Sequence, residues 1–122
     1  MPTILIRLLT FGQSVLQVQP FIDKKSSQFV FYIRGFWHGS IPYKELEIFL
    51  WDTLEEWSEL KHTQSQLYTH KERIFWHLFH ETQFVSATTL KTDKILREEV
   101  AFCLEYLENE KAFPLDVVGM RP

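Results

Sequence analysis

The chain has 122 residues, 45% of them hydrophobic and 24% charged, with a formal net charge of −3 at pH 7. Such values are ordinary for soluble globular chains and exclude a disordered tail, a collagen-like fibre and a disulfide-dense mini-protein. Aromatic residues reach 16% (11 Phe, 4 Trp, 4 Tyr), so either the core or a surface must be rich in rings.

Charge is unevenly spread. Residues 1–40 hold Arg7, Lys24, Lys25 and Arg34 against Asp23 alone, so the acidic excess falls on residues 41–122. Binding to nucleic acid calls for a concentrated basic footprint, and no basic run is longer than Lys24-Lys25, which disfavours DNA and RNA as partners. Cys103 is the only cysteine. It can form no intrachain disulfide or cysteine metal cluster, and it favours a reducing compartment. No apolar run approaches the roughly 18 residues of a membrane span. Arg7 interrupts the apolar start and no small-residue cleavage site follows, so no signal peptide is read and the expected location is cytoplasmic.

In chain order, three segments read as strands. Thr3–Leu9 is β-branched and leucine-rich, Val15–Gln19 alternates, and Pro20 limits the second run because it cannot donate to a ladder. After a polar connector at Asp23–Ser27, Gln28–Trp37 is the strongest strand signal. It places Phe29, Phe31 and Ile33 on one face and Val30, Tyr32 and Phe36 on the other. From residue 40 the apolar period changes to that of a helix. Tyr43, Leu46, Leu50, Leu54 and Trp57 form one stripe behind Pro42. Thr69-His-Lys-Glu72 matches a capping box ahead of Ile74, Phe75, Leu78 and Phe79. A third helix starts near Thr92-Asp93 and runs to about Asn109, and the apolar tail Phe113–Pro122 is expected to pack on the domain. The expected fold is therefore α+β: a three-stranded antiparallel meander at the N-terminus packed against three helices, in one domain over residues 1–122.

Four constellations are candidates for chemistry. On the first of these helices Glu45, Asp52, Glu55, Glu56 and Glu59 project away from the apolar stripe, and Asp52, Glu56 and Glu59 are surface neighbours of the kind hard cations use. Glu55-Glu56-Trp57-Ser58-Glu59 resembles, over five residues, the E-E-x-x-E element of the all-α nucleotide pyrophosphohydrolases. The second-helix E-x-x-D pair of that family has no counterpart here. The simpler reading is a solvated acidic face. On the next helix His77, His80 and Glu81 have spacings that can share a metal, but three or four ligands are needed and the rest would come from elsewhere. At the corner Trp37-His38-Gly39-Ser40, a helix N-terminus beside glycine offers amides to an anion, with Ser40 as the simpler helix cap.

The fourth feature is surplus apolar surface. Ile95, Phe102 and Tyr106 form a second stripe on the third helix, and Trp51 and Trp76 lie off the main stripes of theirs. Either the fold covers these rings or a partner does. The sequence thus predicts a small non-enzymatic protein-binding or regulatory domain acting through an aromatic patch and an acidic helix face. Its partner is another protein or a second copy, and no cofactor is called for. The alternative is a metal-dependent hydrolase of a phosphorylated small molecule, using Asp52, Glu56 and Glu59.

Overall fold

The computed structural model describes residues 18–60, 68–109 and 119–122. These residues form five helices and no strand: α1 Val18–His38, α2 Tyr43–Glu59, α3 His70–Gln83, α4 Ala87–Thr92 and α5 Lys94–Asn109. None is long and apolar enough to cross a membrane. The predicted α+β fold is therefore corrected to an all-helical one over the described residues. The predicted strand Thr3–Leu9 and most of Val15–Gln19 lie outside them, while Gln28–Trp37 falls wholly within α1.

The reason for the correction can be read along α1. Val18, Ile22, Lys25, Ser26, Phe29, Val30, Ile33 and Phe36 are buried, a spacing of three and four residues that continues through the supposed polar connector. In a strand Phe31 would share a face with Phe29 and Ile33; here Phe31 is 63% exposed while Phe29 and Ile33 are fully buried. A run rich in Phe, Val, Ile and Tyr favours strands by composition, and packing against α2, α3 and α5 overrides that preference. Pro20 is the third residue of α1, where an amide has no carbonyl partner within the helix, so it blocks nothing.

The helices expected behind Pro42, behind the Thr69 cap and from near Thr92-Asp93 to about Asn109 are present as α2, α3 and α5, with physical start signals. Thr69 Oγ1 accepts from Glu72 N (3.1 Å) and Asp93 Oδ1 accepts from Leu96 N (2.9 Å). The short helix α4 was not expected; Ser86 caps it by accepting from Thr89 N at 3.1 Å. Only half of the predicted capping box forms, because the Glu72 side chain turns inward and is fully buried.

Rings from α1, α2 and α3 meet at the centre. Phe29 lies 5.3 Å from Phe49, 5.8 Å from Phe75 and 6.4 Å from Phe79, centroid to centroid. Trp76 lies 5.0 Å from Trp57, 4.8 Å from Phe75 and 5.5 Å from Phe79, all edge-on. Such pairs contribute roughly 0.5–1.5 kcal/mol each beyond the area they bury. The second half of the core is aliphatic: α5 lays Leu96, Val100, Cys103, Leu104 and Leu107 against α3 and α1.

The C-terminal residues 119–122 are fastened to this core. Gly119 lies so close to α3 that a Cβ would stand 1.7 Å from the Arg73 carbonyl oxygen, so only glycine fits there. Two residues on, Arg121 enters the core and donates from Nε and Nη2 to both oxygens of Glu72, at 2.6 and 2.9 Å. Trp76 Nε1 donates to the same carboxylate at 3.0 Å, and the guanidinium stacks 4.2 Å over Tyr68. Glu72 is thus a buried charge with a paired, hydrogen-bonded partner, the condition under which burial is tolerated.

Candidate functional site

The two most exposed rings among the described residues, Trp51 and Phe84, stand together where α2 passes the end of α3. Tyr43, Glu47, Leu50, Trp51 and Leu54 of α2 line one wall of a groove, and Gln83 and Phe84 line the other. Trp51 is 70% exposed and Phe84 84%. Ile48, three residues before Trp51 and so on the same helical face, is exposed too.

Local structure holds this groove open. Leu46, Phe49 and Trp57 are buried on the core side of α2 and Leu50 is buried at the base of the groove, which leaves Trp51 exposed on the register of the helix. Phe84 follows the last residue of α3 in the turn that leads to α4. That turn is tied back to α2 by the Tyr43 hydroxyl, which donates to the Val85 carbonyl at 2.7 Å. Burial, and secondarily the negative charge of Glu47, push the Tyr43 phenol above its ordinary pKa, so it stays a donor at neutral pH. Of the six carboxylates on α2, Glu47 lines the groove. An apolar slot with one carboxylate on its wall is therefore presented on the helix.

The predicted contact residues divide. Trp51, Ile95 (77% exposed) and Phe102 are exposed, whereas Trp76 and Tyr106 are buried in the core. Trp76 lies under the helices because its indole bonds Glu72, a partner in the same helix that the apolar stripe did not reveal. Ile95 and Phe102 sit on α5 and are not among the residues that line the Trp51 groove. Phe84 was missed by the sequence reading. An apolar ring between two helices, flanked by Gln83 and Ser86, was its only signal.

The corner at Trp37, His38 and Ser40 is the C-terminal end of α1, and the predicted strand-to-helix junction is corrected accordingly. Gly39 has φ +81°, the left-handed conformation glycine supplies at such ends. Gly39 N donates to Phe36 O at 3.1 Å, and Ser40 N and Ile41 N both donate to Gly35 O at 2.9 and 3.1 Å. Those three amides are therefore spent within the turn. Ser40 Oγ also donates to Gly35 O, and it does not cap α2. Trp37 Nε1 donates to Leu90 O and its ring carries the Arg97 guanidinium at 4.5 Å, which fastens α1 to α4 and α5. His38 is exposed.

On α2, Asp52 and Glu59 are exposed and Glu56 accepts an ion pair from the buried Lys25 of α1. The Asp52, Glu56 and Glu59 carboxylates are not among the metal-competent clusters of the described residues; the one such cluster is His77, Glu81 and Glu99. His77 Nε2 lies 2.9 Å from Glu99 Oε1 and 3.9 Å from Glu81 Oε1. His80, paired with His77 by sequence spacing, is drawn away: its Nε2 bonds the Met120 carbonyl at 2.8 Å. The sequence could not supply Glu99, which lies 22 residues from His77 on another helix.

Compared with family models, curated proteins and solved structures, the chain matches none.

Proposed function

We propose that this chain is a protein-binding module whose contact surface is the groove between Trp51 and Phe84. Its partner presents an apolar side chain next to a lysine or arginine. The observation that carries this reading is the pairing of two rings, 70% and 84% exposed, on the two walls of one groove; Phe31 and Phe102, the other exposed Phe or Trp rings among the described residues, do not line it. Exposed Trp and Phe anchors surrounded by polar residues are the usual make-up of interface hot spots. Charge complementarity selects the flanking residue, because Glu47 lines the groove and the exposed Glu55 lies one helical turn from Trp51. The cytoplasm, as the compartment of a chain with a lone buried thiol, belongs to this proposal as well.

The test is selection from a random-peptide phage library on the immobilised chain. Wild type is expected to enrich peptides with an aromatic or large aliphatic residue beside a basic one. Glu47→Lys is expected to lose the preference for the basic neighbour, and Trp51→Ser to lose enrichment altogether. Equal enrichment on wild type and Trp51→Ser would exclude the groove. A solution dimer that dissociates in Trp51→Ser would show a second copy as occupant in place of a different protein.

A further inference from the structure

We propose that His77, Glu81 and Glu99 bind one divalent transition-metal ion, of the zinc or cobalt class, clamping α3 to α5. The three side chains come from the two helices that pack most extensively on one another, and their ligand atoms all lie within 4.8 Å of each other. Tetrahedral ligands about 2.1 Å from a zinc ion stand about 3.4 Å apart. The observed spans of 2.9 and 3.9 Å from His77 Nε2 straddle that value.

The geometry is better suited to a cation than to hydrogen bonding alone. Both carboxylates address the same nitrogen, which carries at most one proton and can donate it well to only one of them. Glu99 takes that bond, and Glu81 at 3.9 Å is left outside hydrogen-bond range. A metal ion in their midst satisfies all three ligands. Two carboxylates beside a neutral imidazole carry a charge of −2, which a dication offsets. Among the described residues neither Glu81 nor Glu99 pairs with a lysine or arginine. The nearest arginine along α3, Arg73, has its guanidinium 5.7 Å over the Tyr68 ring.

The donor set selects the ion. One imidazole nitrogen with two carboxylates suits zinc, cobalt or manganese, whereas magnesium and calcium take oxygen ligands alone. The His77 side chain is 16% exposed and the carboxylates 36% and 43%, so the cluster opens to solvent on one side. A fourth ligand position would be filled by water.

Zinc chloride titrated calorimetrically into the full chain tests the proposal, with circular dichroism confirming that each variant is folded. One Zn²⁺ per chain is expected, and tenfold excess Mg²⁺ is expected not to displace it. Glu99→Gln and Glu81→Gln, which keep shape and remove charge, are expected to weaken binding by about tenfold or more, and His77→Ala by more still. His80→Ala, with the adjacent imidazole removed, is expected to stay within about twofold of wild type. Zinc is also expected to raise the thermal midpoint of wild type by several degrees and to leave that of Glu99→Gln unchanged. Wild-type affinity in Glu99→Gln, or a loss in His80→Ala as large as in His77→Ala, would overturn the assignment. So would the absence of a one-to-one Zn²⁺ complex.

Discussion

Arg121 and Glu72, 49 residues apart, meet in a two-pronged ion pair inside the protein, at 2.6 and 2.9 Å. Neither side chain is more than 1% exposed. The hydrogen bonds to Glu72 raise the Arg121 pKa above its ordinary value, with burial acting in the opposite direction. The second-last residue of the chain is therefore part of the core.

Removing one partner leaves the other charged and buried. Arg121→Ala is expected to cost about 3–5 kcal/mol, measured by urea unfolding. Glu72→Gln with Arg121→Met, which removes both charges and keeps most of the volume, is expected to recover much of that loss. Equal costs for the single and double variants would show that lost packing, and not the orphaned charge, is what destabilises.

Phe29 and Phe31 separate the helical from the extended reading of residues 28–37. Phe29→Ala is expected to cost about 3–5 kcal/mol because it empties the centre of the ring cluster. Phe31→Ala is expected to fall within about 0.5 kcal/mol of wild type. Comparable large costs at both positions would restore the strand reading, in which the two rings share a face.

Two tryptophans should behave in opposite ways. Trp76→Ala is expected to cost about 3–5 kcal/mol, since it removes a fully buried ring and one hydrogen bond to Glu72. Trp51→Ser is expected to change stability by less than about 0.5 kcal/mol. Iodide quenching of the remaining fluorescence should fall in Trp51→Ser, because the most exposed indole is gone.

The Tyr43 phenol is harder to ionise in the fold than in the unfolded chain, where its pKa is about 10. Its contribution to stability is therefore full below about pH 10 and is lost as pH rises through the higher folded value. Tyr43→Phe, which removes the bond to Val85, is expected to cost about 1 kcal/mol at neutral pH. That gap should narrow above about pH 10. A gap independent of pH up to 11 would mean that the hydroxyl does not hold the turn at Phe84.

Sequence pattern located α2, α3 and α5 well because each has a main apolar stripe of helical period that follows a local signal: Pro42, Thr69 or Asp93. It misread α1 because residues 28–37 carry apolar side chains on the exposed side as well as the buried one, Phe31 among them. When Val30, Phe29, Ile33 and Phe36 are all apolar, a short window alternates as readily with period two as with period 3.6. The buried Lys25 and Ser26 hid the continuity, since two polar residues in the stripe resembled a connector. Of the candidate sites, the exposure of Trp51 and of the α2 carboxylates was legible from helical register. Phe84 and Glu99 were not, because each acquires its neighbours only through packing between segments distant in sequence. Trp76, left open by the sequence between core and partner, is covered by Trp57 of α2, by Phe75 and Phe79 of its own helix, and bonds Glu72 four residues away.

Titration calorimetry with a peptide selected on the wild-type chain decides whether Trp51 and Phe84 form a docking groove. Binding to Trp51→Ser and to Phe84→Ser is expected to be about thirtyfold weaker, the weight of one interface hot spot of about 2 kcal/mol. Both variants should remain folded and as stable as wild type. Unchanged affinity in both variants would contradict the account and leave the groove without a role.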